Sequence, residues 1–177
     1  KGVYDKRREL ILTESPSMDI LVSSNLERLL FEASGRDSNE IKNLMEDLSS
    51  KGIYTINDKI KENLKDFYGN YANTEEVYKA IKELYNKKGY LIDTHTAVAY
   101  VVLNKYISDT KDKTPYLIAS TASPYKFPRS IANALGLDLN GIDDFEVINK
   151  IYDYSKANVP NNLKGLDKKV YEHHGSS

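Results

Sequence analysis

Cysteine is absent from this chain of 177 residues, which excludes disulfides and thiolate metal sites and leaves Ser, Thr or Lys as the available nucleophiles. No apolar run approaches the length needed to cross a bilayer, and no charged-then-apolar segment opens the chain as a secretory signal would. Lys and Arg number 25 against 26 Asp and Glu, a formal net charge of -1, with no basic arm or stripe. Neither nucleic acid nor a membrane is therefore an expected partner, and a cytoplasmic, soluble protein is expected. Both well-defined phosphate loops, GxGxxG and GxxxxGK[ST], are missing, as is the GxSxG elbow of many hydrolases. His95 stands alone until His173 and His174, so no histidine pair has metal-ligand spacing. The chain opens on Lys1 rather than Met, as expected of a piece of a longer polypeptide. Its closing HHGSS resembles vector-encoded sequence.

What is present reads as one domain or a little more, with helices punctuated by glycine. Residues 9–13 form a short apolar run suited to a strand, and ESPS then turns the chain into a helix expected over residues 19–34. Gly35 sits at its stop. Asp37 with Glu40 makes a capping-box pattern for a second helix that Gly52 closes. A third is expected over residues 57–68, and Thr74 caps a fourth that turns Val77, Ile81 and Leu84 inward before Gly89. No Pro/Gly-rich or Ser-rich linker interrupts this half, so residues 38–89 read as a helical insertion packed beside a sheet.

Two later junctions carry most of the chemical interest. Asp93-Thr94-His95-Thr96 precedes residues 97–103, which are apolar almost all round, as in a buried helix. Backbone N–H groups at such a helix start favour an anion, while Asp93 is equally an ordinary N-cap and His95 a residue able to satisfy carbonyls. Residues 115–128, PYLIASTASPYKFP, run an apolar strand-like segment (residues 116–119) into Ser120, Thr121 and Ser123. Open α/β sheets bind ligands at such strand ends, although hydroxyls there also cap the following helix. Helices are then expected over residues 128–135, stopped by Gly136, and from Asp144 with Val147, Ile148 and Ile151 on one face.

Three long strings, TESPSMDILVSSNLERLLFEASGRD, YLIDTHTAVAYVVL and LIASTASPYKFP, together with VPNNLKGL near the end, resemble threonine synthases of the bacterial and fungal type in order and spacing. The resemblance implies a pyridoxal 5'-phosphate (PLP) enzyme of fold type II. Such an enzyme is a carbon-oxygen lyase that converts O-phosphohomoserine and water to threonine and phosphate in the last step of threonine biosynthesis. The implied fold is α/β, part of the large catalytic domain, with a short, mostly parallel sheet, surrounding helices and the helical insertion. Residues 1–37 and 90–166 would belong to that domain and residues 167–177 to a tail. In the family a Schiff-base lysine and a glycine-rich phosphate loop lie upstream of this region. The chain would thus be a C-terminal piece, inactive and without PLP alone, whose partner is the N-terminal remainder of the same polypeptide. Carried onto this sequence, Thr121 is the candidate contact to the pyridine nitrogen, with Ser120 as its substitute. Ser23, Ser24, Asn25, His95, Thr96 and Lys126 are candidate substrate contacts, Lys126 equally reading as a surface lysine. The chain has Thr94 where the family usually has proline. Ser123 need not be catalytic, because the family varies between histidine and serine there. A non-catalytic small-molecule-binding or oligomerisation module of α/β fold is the other reading of the same features.

Overall fold

A computed structural model describes residues 2–170 of the chain. Lys1 and residues 171–177, which include His173, His174 and most of the expected tail, lie outside the described residues. The chain divides into two compact units, Lys1–Gly69 and Asn70–Ser177. The division falls within residues 38–89, the stretch expected to be one insertion.

The first unit is built on a two-stranded antiparallel ladder. Strand β1 (Val3–Asp5) pairs with β2 (Ile53–Thr55) in the register Val3↔Thr55, Tyr4↔Tyr54, Asp5↔Ile53. Tyr4 and Tyr54 stack at a centroid distance of 5.4 Å, and burial pushes the Tyr54 hydroxyl up to about 12. Helices α1 (Leu26–Ala33), α2 (Ser38–Ser50) and α3 (Asp58–Asn63) surround it. Leu30, Ile41, Leu44, Leu48, Ile56 and Ile60 make their shared core. Asp37 caps α2 by accepting the N–H groups of Asn39 and Glu40. Gly52, at φ 76°, leads into β2 where a Cβ would come within 2.7 Å of Arg7 Cγ.

Several expectations for this unit are corrected. The helix expected from residue 19 begins at Leu26, because the preceding backbone bonds to distant side chains. Asp19 accepts from Thr13 N and Oγ1, both at 2.7 Å, while the Tyr4 hydroxyl donates to Leu21 O and accepts from Ser23 N. Helix α3 ends at Asn63, and beyond it Phe67 and Tyr68 are exposed with no apolar face to bury. Residues 9–13 form no strand. Leu10, Ile11 and Leu12 are exposed, and no backbone in the described residues pairs with them.

The regular elements of the second unit's described residues are all helices: α4 (Thr74–Lys88), α5 (Thr94–Thr110), α6 (Pro128–Leu135) and α7 (Asp144–Ser155), with short 3-10 turns at Pro124–Lys126 and Leu166–Lys168. Helix α4 packs on α5 and α6, and α6 on α7. Ile81, Ala97, Ile131, Ala132, Val147 and Ile151 are at the centre of the core. Helix α5 is half-buried along residues 98–103 rather than enclosed, since no sheet lies beneath it here. Its α4 neighbour is capped by Asn73, one residue before the expected Thr74, while α7 begins at Asp144 as expected, with Asp143 as its cap. Both form reciprocal capping boxes, with Glu76 and Glu146. Gly89 and Gly136 close α4 and α6 in the left-handed conformation.

The α/β character therefore rests on one small ladder amid helices. That ladder is antiparallel, which corrects the expected mostly parallel sheet for the described residues. Residues 116–119 likewise form no strand, and Leu117 is 97% exposed.

One ion pair ties the start of the second unit to its longest helix. Lys105 Nζ lies 2.7 Å from Glu76 Oε1 and donates to Tyr71 O at 2.8 Å. The hydrogen bond from Lys105, helped by the Asn73 N–H, holds the Glu76 carboxyl below its ordinary value. A depressed folded-state value gives stability that is present above the unfolded value of 4.5 and is lost as pH falls through the folded one. Acid titration of the unfolding midpoint should therefore show a smaller loss below pH 4.5 in Lys105→Met than in the wild type. An unchanged acid slope would contradict the assignment.

Candidate active-site wall

Leu91 and Ile92 are buried and anchor the approach to α5, which places Asp93 at its N-cap with extended backbone (φ -78°, ψ 168°). From there its side chain folds over the helix start. One carboxylate oxygen accepts His95 N at 2.9 Å and Thr96 N at 3.2 Å, and the other accepts the Thr96 hydroxyl. Asp93 is 2% exposed, so its charge is compensated by these donors and by the positive end of the helix. The anion this helix start favours is thus the protein's own carboxylate. Thr94 fills the first helical position, where proline is also well suited, and is itself buried.

His95 presents a different face. Its Nδ1 is 3.4 Å from both Asp93 Oδ1 and Thr94 Oγ1, and its ring leans on Phe127 at 5.5 Å between centroids. Nε2 is buried and has no partner in the protein. A buried ring nitrogen left in that state is a ready contact for a ligand atom.

The loop after residue 119 meets this corner through Ser120, whose Oγ is 3.0 Å from Thr96 Oγ1. Ser123 caps the Pro124–Lys126 turn by accepting Tyr125 N, and Tyr125, 2% exposed, anchors it by donating to Ala157 O at 2.6 Å. Burial raises the Tyr125 hydroxyl above its usual range. Helix α6 is capped by Phe127 with no side-chain bond, so neither Ser120 nor Thr121 is used as its cap. Lys126 is exposed and its Nζ sits 5.3 Å from the Phe127 ring.

The structure accordingly gathers His95, Thr96, Ser120 and Lys126 around Asp93 and Phe127. Thr121 adjoins them, exposed, with its hydroxyl outside the hydrogen bonds of the cluster. Ser23, Ser24 and Asn25 belong to the other unit and precede α1 instead of interrupting a helix. The Ser23 hydroxyl donates to Asn25 Oδ1, and Ser24 lines an open groove of about 1000 Å³ between α1 and α2. Phe127 was missed by motif reasoning. The signal for it is an aromatic residue directly before Pro128, at the start of α6.

Comparison with known proteins bears directly on this corner. Residues 96–172 match the family model described as threonine synthase, C-terminal. The yeast (Saccharomyces cerevisiae) threonine synthase is 33% identical over 93% of this chain and 33% of its own length. The human protein named threonine synthase-like 1 is 42% identical over 76% of this chain and 18% of its own. The chain belongs to the threonine synthase family. Solved structures agree: the yeast threonine synthase superposes with a TM-score of 0.75 at 30% identity over 94% of this chain and 34% of that one. PLP-bound threonine synthase from Brucella melitensis gives 0.69 at 35% identity over 79% and 30%. The fold is thus part of the fold type II arrangement of these threonine synthases. The chain spans about a third or less of the length of these relatives.

Removing the buried cap is the direct test of the corner's construction. Asp93→Ala should lower stability by about 1–3 kcal/mol, from a lost N-cap and buried donors left unpaired. Thermal unfolding measures this; a change within error would show that the bonds at Asp93 do not hold the start of α5.

Proposed function

We infer that the chain forms one wall of the active site of a PLP-dependent threonine synthase that turns O-phosphohomoserine and water into threonine and phosphate. The observation that carries this reading is the cluster of His95, Thr96 and Ser120, which lies within the strings shared with the family and offers a buried, unpartnered Nε2. The lysine and glycine-rich phosphate loop that such an enzyme needs would come from the rest of the same polypeptide.

The residues present fit the cofactor's pyridine ring. Ser120 and Thr121 supply neutral hydroxyls, and the nearby carboxylate, Asp93, is buried with both oxygens engaged. When bound, PLP supplies the electron sink for elimination and replacement chemistry, and a neutral hydroxyl opposite its ring nitrogen tempers that sink relative to a carboxylate. Thr121 would make that contact. His95 Nε2 would hold an oxygen of the substrate. Lys126, cationic and beside the start of α6, would steady the phosphate as it leaves. Ser23, Ser24 and Asn25, in the first unit, remain candidate substrate contacts. Phe127 backs the His95 ring and would help to hold its orientation.

The assay is made on the full-length polypeptide that contains this chain. With PLP it should convert O-phosphohomoserine to equal amounts of threonine and phosphate, while the isolated chain shows neither turnover nor a stoichiometric cofactor band. A full-length protein that binds PLP but releases no threonine would overturn the substrate assignment. One that binds no PLP would overturn the enzyme reading in favour of a non-catalytic module.

A further inference from the structure

Two neighbouring hydroxyls, Ser120 and Thr121, stand at the same loop, and the proton bookkeeping around Thr96 separates their roles. A carboxylate only accepts hydrogen bonds, and a threonine hydroxyl has a single proton. Asp93 takes that proton from Thr96 with one oxygen while its other oxygen takes the N–H groups of His95 and Thr96. Thr96 Oγ1 can then serve Ser120 only as an acceptor. Across the 3.0 Å that separates them, Ser120 must therefore be the donor.

We propose that Asp93 and Thr96 are positioning residues that commit the Ser120 proton to the protein, so that Ser120 anchors the loop and Thr121 alone can donate to the cofactor's ring nitrogen. An unprotonated aromatic nitrogen is an acceptor and needs a donor. Both residues are exposed, but Ser120 has only lone pairs left to offer that nitrogen, whereas the Thr121 hydroxyl is outside the relay. Asp93 is 2% and Thr96 6% exposed, which shelters the accepting end of the relay from water, while Ser120 reaches it from an exposed loop position. The same relay joins the start of α5 to the loop, so the geometry of Thr121 is set by a residue 28 positions earlier that never touches the ligand. The identity of the ligand rests on the functional reading above; the direction of the relay rests on the geometry alone.

Single and double variants of the full-length protein separate the two parts. In the holoenzyme, Thr121→Val should move the cofactor absorption maximum and lower kcat about tenfold or more. Ser120→Ala and Thr96→Val should leave the maximum in place and weaken cofactor binding by about three- to tenfold, the scale of one hydrogen bond. Because both remove the same bond, the double variant should be no worse than the weaker single, and Thr96→Ser should restore wild-type binding. A maximum that moves in Ser120→Ala and not in Thr121→Val overturns the assignment, as do losses in the two singles that multiply. The unfolding midpoint of the cofactor-free protein gives a second readout of the relay, with the double variant matching the more affected single; additive drops would disprove it. A wild-type protein without any cofactor band overturns the functional reading and the role of Thr121 with it, and the unfolding midpoints then decide the relay by themselves.

Discussion

The second unit depends on a single buried charge. Asp93 is almost wholly removed from water, and a carboxylate in that position is tolerated only when its oxygens are filled with donors. Two backbone N–H groups and one hydroxyl fill them, and each fixes something different. The N–H bonds set where α5 begins, the Thr96 hydroxyl turns toward the loop after residue 119, and the His95 ring is left against Phe127 with one nitrogen unsatisfied. The structural role of Asp93 as a cap and its role in shaping a site are therefore the same set of bonds.

Each unit carries an apolar segment that the described residues leave uncovered. Residues 9–13 and 116–119 are apolar and lack ladder partners, with Leu12 78% and Leu117 97% exposed. An extended apolar segment with open N–H and C=O groups is suited to pairing with further strands. This supports the proposal that the chain works as part of a larger catalytic domain, consistent with relatives about three times its length or longer.

Helix ends were the most legible part of the sequence, because capping is decided within four residues. Asp37, Asp93, Gly89 and Gly136 act where the sequence placed them. The cap of α4 was missed by one position, Asn73 in place of Thr74, and the start of α7 at Asp144 was read correctly; Glu76 and Glu146 lie three residues beyond Asn73 and Asp143, and that spacing identifies the caps. Strands were poorly legible: β1 and β2 are three residues each and owe their existence to one another, while the more apolar runs at residues 9–13 and 116–119 find no partner. The late start of α1 was also out of reach, since it depends on the Tyr4 hydroxyl bonding to residues 17 and 19 positions away. For the candidate site, the strings around Asp93 and Ser120 were readable one by one. Their meeting through a 3.0 Å hydroxyl pair, and the ring of Phe127 behind His95, required the packing of α5 against the loop.

The central claim is that residues 93–96 and 120–126 form one wall of a PLP pocket. A crystal structure of the full-length protein with PLP and a phosphonate analogue of O-phosphohomoserine tests it most directly. The account predicts Thr121 Oγ1 within about 3 Å of the pyridine nitrogen, with Ser120 still bonded to Thr96 and His95 facing the analogue. A cofactor bound with its ring nitrogen remote from Thr121, and the analogue remote from His95 and Lys126, would contradict it.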